Sequence, residues 1–324
     1  MNAIRQHEFG PAETLRYEEV PDPSPASGQV RIAVEASGVH FVDIEIRSGG
    51  GPAYYARPDL PTVPGREVAG VVEAVGDGAE DWAGRRVVAH LGLAGGGYAD
   101  RAVAPTEALH EIPPGLEADA AVAMIGTGRT AMAILETAAF RPNDVVLITA
   151  AAGGLGSLFV QAAGNVGATV VGAAGGPEKL ERVRQLGAAV AVDYRAPDWP
   201  ERFREALGER HVSVALDGVG GAIGRRALDL LGPGGRMLVF GRSSGEPVGF
   251  TTEEVFGRYL TVTSGFGPDI GSPQRKRELE TAALAEAAAG SLVPLISRFP
   301  LSDAAAAHTA LEGRATIGKA VLVT

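Results

Sequence analysis

The feature that most constrains this chain is an apolar run, Val145–Thr149, that passes through Ala150-Ala151-Ala152-Gly153-Gly154-Leu155-Gly156 into a helical segment. A strand that turns sharply into a helix points the free N–H groups of the helix end at whatever lies before it. Small residues at the turn let the backbone approach a pyrophosphate, and the helix N-terminus favours its negative charge. The G-x-G-x-x-G spacing is present as Ala151-x-Gly153-x-x-Gly156, with alanine in first place. In a chain with 45 glycines a cluster alone says little. The strand–turn–helix context is what makes it a dinucleotide site.

That context continues. Apolar runs at Val145–Thr149, Thr169–Ala173, Ala189–Val192, Val212–Leu216 and Arg236–Phe240 alternate with helical segments near 155–166, 178–186, 199–207 and 222–231. Tyr259–Thr263 reads as a sixth strand. Such alternation predicts βαβ units and a parallel sheet covered on both faces. Residues 1–120 differ. Short runs such as Val30–Ala36, Val68–Val75 and Arg85–Leu91, broken by Gly and Pro, predict a β-rich unit. Ala118–Phe140 reads as one helix, stopped by Pro142-Asn143-Asp144. A helix over Gln274–Ala289, another over Ser302–Glu312 and a strand over Lys319–Val323 return to the first unit. The expected class is α/β, with a β-rich domain over 1–120 and 266–324 and a doubly wound Rossmann domain over 121–265.

The second strand decides between nucleotides. A ribose 2′-OH is usually held by Asp or Glu about 20 residues beyond the glycines, whereas a 2′-phosphate needs a cation. This strand runs out in Gly172-Ala173-Ala174-Gly175-Gly176, with no acid at its tip in sequence, and Lys179 follows. Lysine is otherwise found only at 276 and 319. The expectation is NADPH; Glu178, beside Lys179, argues the other way.

Composition excludes several classes. Net charge is −10, so neither nucleic acid nor anionic membrane is an expected partner. No cysteine is present, which removes disulfides, thiolate metal sites and cysteine nucleophiles. The first residues, MNAIRQHEFG, lack the charged and apolar regions of a secretory signal, and no long apolar run suggests a span. A cytoplasmic protein is expected. No serine stands in a G-x-S-x-G elbow before a helix, and His7, His90, His110, His211 and His308 show no metal or triad spacing.

Several motifs together resemble the medium-chain dehydrogenase/reductase superfamily, and within it the zinc-independent quinone oxidoreductases, zeta-crystallin-like proteins included. They are Gly38-Val39-His40-Phe41-Val42-Asp43, Leu60-Pro61-Thr62-Val63-Pro64-Gly65-Arg66-Glu67-Val68-Ala69-Gly70, Gly128-Arg129-Thr130-Ala131, Asp193-Tyr194-Arg195, Asp217-Gly218-Val219-Gly220 and Phe240-Gly241-Arg242-Ser243-Ser244-Gly245. The resemblance implies a GroES-like β domain and a Rossmann domain with a cleft between them. It places the catalytic-zinc ligand positions of metal-dependent relatives at His40, Arg66 and Gly126, of which only His40 can bind a metal. No metal site is expected, and an acceptor whose reduced form is already delocalised, a quinone or enone, suits such a site.

The same resemblance implies cofactor contacts at Thr127, Thr130, Gly153, Gly154, Leu155, Gly156, Lys179, Tyr194, Val219, Phe240, Gly241, Ser243, Phe266 and Lys319. Around the reacting centre it implies His40, as donor to a developing oxyanion, and one of Tyr54 and Tyr55 over the nicotinamide. Each has a plain alternative: His40 as a satisfied polar residue, the tyrosines as surface aromatics. Asp43 and Arg47, four apart on a short helix, are expected to pair. Arg129 is either a phosphate contact or exposed. Tyr259–Thr263, as an edge strand, is expected to pair in a homodimer. Two other readings stay open: an enoyl-thioester reductase of the polyketide-synthase type, and a non-catalytic NADPH-binding protein.

Overall fold

A computed structural model of the chain describes residues 1–51 and 57–324. Two compact units emerge, Met1–Gly128 with Ala283–Thr324, and Arg129–Ala282. Both divisions fall within helical stretches.

The chain opens with an antiparallel pair, β1 (Asn2–Gln6) and β2 (Leu15–Glu19). Then come β3 (Gln29–Val39), α1 (Phe41–Arg47), β4 (Glu67–Val75), β5 (Arg86–His90), β6 (Arg101–Pro105), β7 (Leu109–Glu111) and α2 (Ala118–Ala123). The second unit begins with α3 (Arg129–Ala138) and β8 (Val145–Thr149). It continues through α4 (Gly154–Asn165), β9 (Thr169–Ala174), α5 (Pro177–Gln185), β10 (Val190–Asp193), α6 (Trp199–Leu207) and β11 (Val212–Asp217). Next are α7 (Gly221–Asp229), β12 (Leu231–Val239), α8 (Thr252–Gly257), β13 (Thr261–Ser264) and α9 (Pro273–Ala288). Finally β14 (Ile296–Pro300), α10 (Ala304–Glu312) and β15 (Lys319–Val323) rejoin the first unit.

In the first unit β14-β15-β3-β4-β5-β7 form one sheet, with β6 also paired to β3. Alternate residues face inward, so Val30, Ile32, Val34, Val68, Val72, Val87 and Leu109 close a core. β15 and β4 flank β3, which brings the first residues of both beside the last residues of β3.

The second unit carries a six-stranded parallel sheet in the order β10-β9-β8-β11-β12-β13. All five residues of β8 are buried, as a strand covered on both faces requires. Trp199, Phe203, Leu147, Val171 and Met237 fill one side. The order in which successive strands are added reverses between β8 and β11, the switch point outside whose carboxyl ends ligands bind in such folds.

Two expectations need correction. Ala118–Phe140 is not one helix: a buried π-helical turn, Met124–Gly128, separates α2 from α3. One extra residue per turn is the usual device where a backbone must reach a site, and Gly126 lies in it. Tyr259 does not start the sixth strand. It sits at φ +55°, in the turn before β13, and is 79 % exposed.

Candidate active site

The starts of three elements converge in the first unit. His40 caps α1 with extended backbone (φ −108°, ψ 154°), and its N–H donates to the Asp43 carboxylate at 2.7 Å. Glu67 is the first residue of β4 and Lys319 the first of β15. His40 Nε2 lies 2.6 Å from Glu67 Oε1, Lys319 Nζ 2.9 Å from Glu67 Oε2, and Lys319 Nζ 2.8 Å from His40 Nε2. The carboxylate is fully buried, the ammonium almost so, and the imidazole is partly open.

Glycines make room for this cluster. A Cβ at Gly126 or at Gly38 would overlap the Glu67 carboxylate, and one at Gly38 would also meet Lys319 Cε at 3.1 Å. Burial alone would push the Glu67 carboxyl up, but His40 and Lys319 hold it well below the usual range. Burial lowers Lys319, with Glu67 opposing. An imidazole nitrogen either donates or accepts. Nε2 therefore cannot give a proton to Glu67 and take one from Lys319 at once.

Behind this lies a second buried network. Arg66 pairs with Asp43 at 3.0 Å. The Tyr98 hydroxyl donates to Asp43 at 3.2 Å and stands 3.2 Å from His308 Nε2. Arg47 approaches His308 Nδ1 at 3.4 Å and pairs with Glu312. The expected Asp43–Arg47 pair is therefore wrong: each charge finds a partner from another element. Burial and the Asp43 charge hold the Tyr98 hydroxyl well above its usual range, while burial brings His308 down to about 4.

The second unit contains the nucleotide turn. β8 ends at Thr149, Ala150 takes a positive φ of 49°, and Gly153 precedes the first turn of α4. A Cβ at Gly156 would overlap the Ala150 carbonyl and reach Ala151 Cα at 2.8 Å, so helix and strand meet with no side chain between them. Gly154, Leu155 and Gly156 form the first helical turn, whose N–H groups have no acceptor within the helix. This cradle fits a pyrophosphate.

The remaining expected contacts are distributed as follows. Lys179 lies in the first turn of α5. The Tyr194 N–H donates to Ala174 O at 3.2 Å, and its ring packs on the sheet core. Phe240 meets Phe159 edge-on at 5.4 Å and covers Gly218. Gly241 packs on Gly218, and the Ser243 N–H donates to Gly218 O at 3.1 Å. The Val219 N–H donates to the buried Asp217 carboxylate at 3.1 Å, and Phe266 N–H to Ser264 Oγ at 3.0 Å. Thr127 is buried in the π turn of the first unit, and Thr130 is on α3. Arg129 is largely buried and pairs with Glu280 at 2.8 Å. Tyr54 and Tyr55 lie outside the described residues.

Sequence reasoning missed Glu67 and Asp217. Both stand inside motifs quoted for their neighbours. Asp217 accepts from Thr149 Oγ1 at 2.7 Å and from the Gly220 N–H at 3.0 Å, tying the ends of β8 and β11 where they flank the switch point. Among the described residues no helix is long and apolar enough to cross a membrane, and no group of three His, Cys, Asp or Glu is placed to hold a metal ion.

Comparison with known proteins adds the following. Residues 26–114 match the alcohol dehydrogenase GroES-like domain and residues 154–286 the zinc-binding dehydrogenase family. The chain is 35 % identical to a 2-haloacrylate reductase of a Burkholderia species, covering 98 % of this chain and 97 % of that one. A crystal structure of Escherichia coli quinone oxidoreductase complexed with NADPH superposes with a TM-score of 0.85 at 31 % identity over 100 % of both chains. A crystal structure of an NAD-dependent alcohol dehydrogenase gives a TM-score of 0.86 at 30 % identity, also over 100 % of both.

Proposed function

The chain belongs to the quinone oxidoreductase family of the medium-chain dehydrogenase/reductase superfamily, and from that premise we propose that it reduces quinones or α,β-unsaturated carbonyl compounds with NADPH and without a metal ion. The observation that carries this reading is the His40–Glu67–Lys319 cluster. Of the three positions where metal-dependent relatives bind zinc, one is Arg66, another is Gly126, and the third, His40, is in contact with an ammonium group. Arg66 and Gly126 offer no metal-ligating atom, and His40 Nε2 is already engaged by Glu67 and Lys319, so no three-ligand set forms there.

NADPH, when bound, supplies the hydride, and the hydride chemistry is the cofactor's own. The chain's part is to bind, orient and protonate. The Gly153–Gly156 turn and the α4 N-terminus take the pyrophosphate. Lys179 and Tyr194 face the adenosine 2′-phosphate; Thr127, Thr130, Val219, Phe240, Gly241, Ser243 and Phe266 frame the rest. His40, the exposed member of its cluster, stabilises the oxyanion that forms, and Lys319 sets the charge behind it.

The test is NADPH oxidation by purified protein against a quinone, an enone, a 2-haloacrylate and an enoyl thioester. Turnover with the first three supports the reading. Turnover confined to the thioester favours a polyketide-type reductase, and tight NADPH binding without turnover favours a non-catalytic role. NADH oxidised far better than NADPH removes the cofactor assignment.

A homodimer and a cytoplasmic location belong to the same proposal. β13 is an edge of the parallel sheet, and Phe256 and Tyr259, at 83 % and 79 % exposure, stand just before it. An unpaired edge beside exposed aromatics invites pairing with a second copy. Light scattering at the monomer mass excludes the dimer.

A further inference from the structure

The tip of the second parallel strand carries an acid after all, contributed by the neighbouring strand. β10 pairs with β9 so that Asp193 stands opposite Ala174. Its carboxylate accepts from the Gly176 N–H at 3.1 Å, in the turn where a nucleotide ribose is read in this type of fold. Left alone, such a carboxylate would receive a 2′-OH and repel a 2′-phosphate.

It is not left alone. Arg195 binds it in a two-pronged pair, Nε to Oδ1 at 3.1 Å and Nη2 to Oδ2 at 2.9 Å, while its own backbone N–H donates to Oδ1 at 3.0 Å. The guanidinium lies over Gly175 and Gly176. A Cβ at Gly176 would stand 2.7 Å from Nη2, and one at Gly175 3.2 Å from Cδ. Gly176 takes φ +95°, which a larger residue would resist in any case. The side chain is 60 % exposed, so an otherwise mobile arginine is pinned across the turn with Nη1 making no hydrogen bond among the described residues. Arg195 holds the Asp193 carboxyl below its usual range, and the guanidinium is correspondingly harder to deprotonate.

We propose that Arg195 decides the cofactor choice of this chain, masking Asp193 from a ribose 2′-OH and offering Nη1 to a 2′-phosphate, with Asp193 as its positioning residue. This rests on the NADPH reading above. It differs from the assignment of Lys179 and Tyr194, because here an acid is present and is neutralised in place.

The test is the ratio of dissociation constants for NADPH and NADH, by fluorescence titration, with 2′,5′-ADP against 5′-AMP as competing probes. Wild type binding NADPH no tighter than NADH would refute the cofactor reading itself. If wild type prefers NADPH, Arg195→Ala should lose about 10- to 100-fold of that preference, the worth of one or two charge-assisted hydrogen bonds. It should bind NADH more tightly than wild type does, and Arg195→Ala with Asp193→Asn should lose that gain. An unchanged NADPH/NADH ratio in Arg195→Ala, or both nucleotides weakened equally, overturns the proposal. No gain for NADH overturns the masking of Asp193.

Discussion

The ammonium of Lys319 lies 2.9 Å from the carboxylate of Glu67, and neither has appreciable contact with solvent. They come from β15 and β4, more than 250 residues apart in sequence but on either side of β3. Removing two opposite charges from water is costly, and removing only one of them afterwards is costlier still.

Lys319→Met should therefore destabilise the protein by about 3–5 kcal/mol, because it leaves Glu67 buried with His40 alone. Adding Glu67→Gln should recover part of that loss. Urea unfolding of wild type, both single variants and the double variant measures it. Strictly additive losses would show that the two groups do not depend on each other.

Gly126→Ala should perturb the same cluster by shape alone. The new methyl overlaps the Glu67 carboxylate, which is fully buried. Overpacking of this kind costs about 1–3 kcal/mol. A thermal melt within a degree of wild type would mean that the π turn yields without cost.

His308 should shape the acid limb of the stability curve. It is fully buried among Tyr98, Asp43, Arg47 and Glu312 and titrates near 4, below the ordinary value of 6.5. As pH falls below about 6.5 the unfolded chain takes up this proton first, so stability declines until pH is near 4. The interval corresponds to about 3 kcal/mol. Glu67 and Asp43, both held low, begin to lose their stabilising contribution as pH falls below their ordinary values of 4.5 and 3.8, and continue to lose it at more acid pH. His308→Gln should flatten the curve between pH 6.5 and 4. An identical slope in the variant would remove His308 from the account.

Gly156→Ala should weaken nucleotide binding more than it changes the global fold. Its methyl overlaps the Ala150 carbonyl, so α4 must move off β8 and carry the pyrophosphate-binding N–H groups with it. Isothermal titration with NADPH gives the readout; wild-type affinity in the variant would place the pyrophosphate elsewhere.

Local pattern made much of the architecture legible. Val145–Thr149, Trp199–Leu207 and Lys319–Val323 form where the sequence predicts them, because a buried parallel strand or an amphipathic helix writes its period into adjacent residues. The glycine turn is equally local. The alternation also carries the Rossmann sheet, since strands joined by helices have few ways to assemble. By contrast, Asp43 leaves Arg47 for Arg66, Arg129 finds Glu280, and Asp193 arrives at a strand tip that looks acid-free in sequence. Glu67 gains its meaning only when β15 carries Lys319 to it. Backbone periodicity is set by near neighbours and survives in the linear chain. The partner of a charge is set by which strands lie side by side, and burial then decides how much that partner matters; both are properties of the folded sheet.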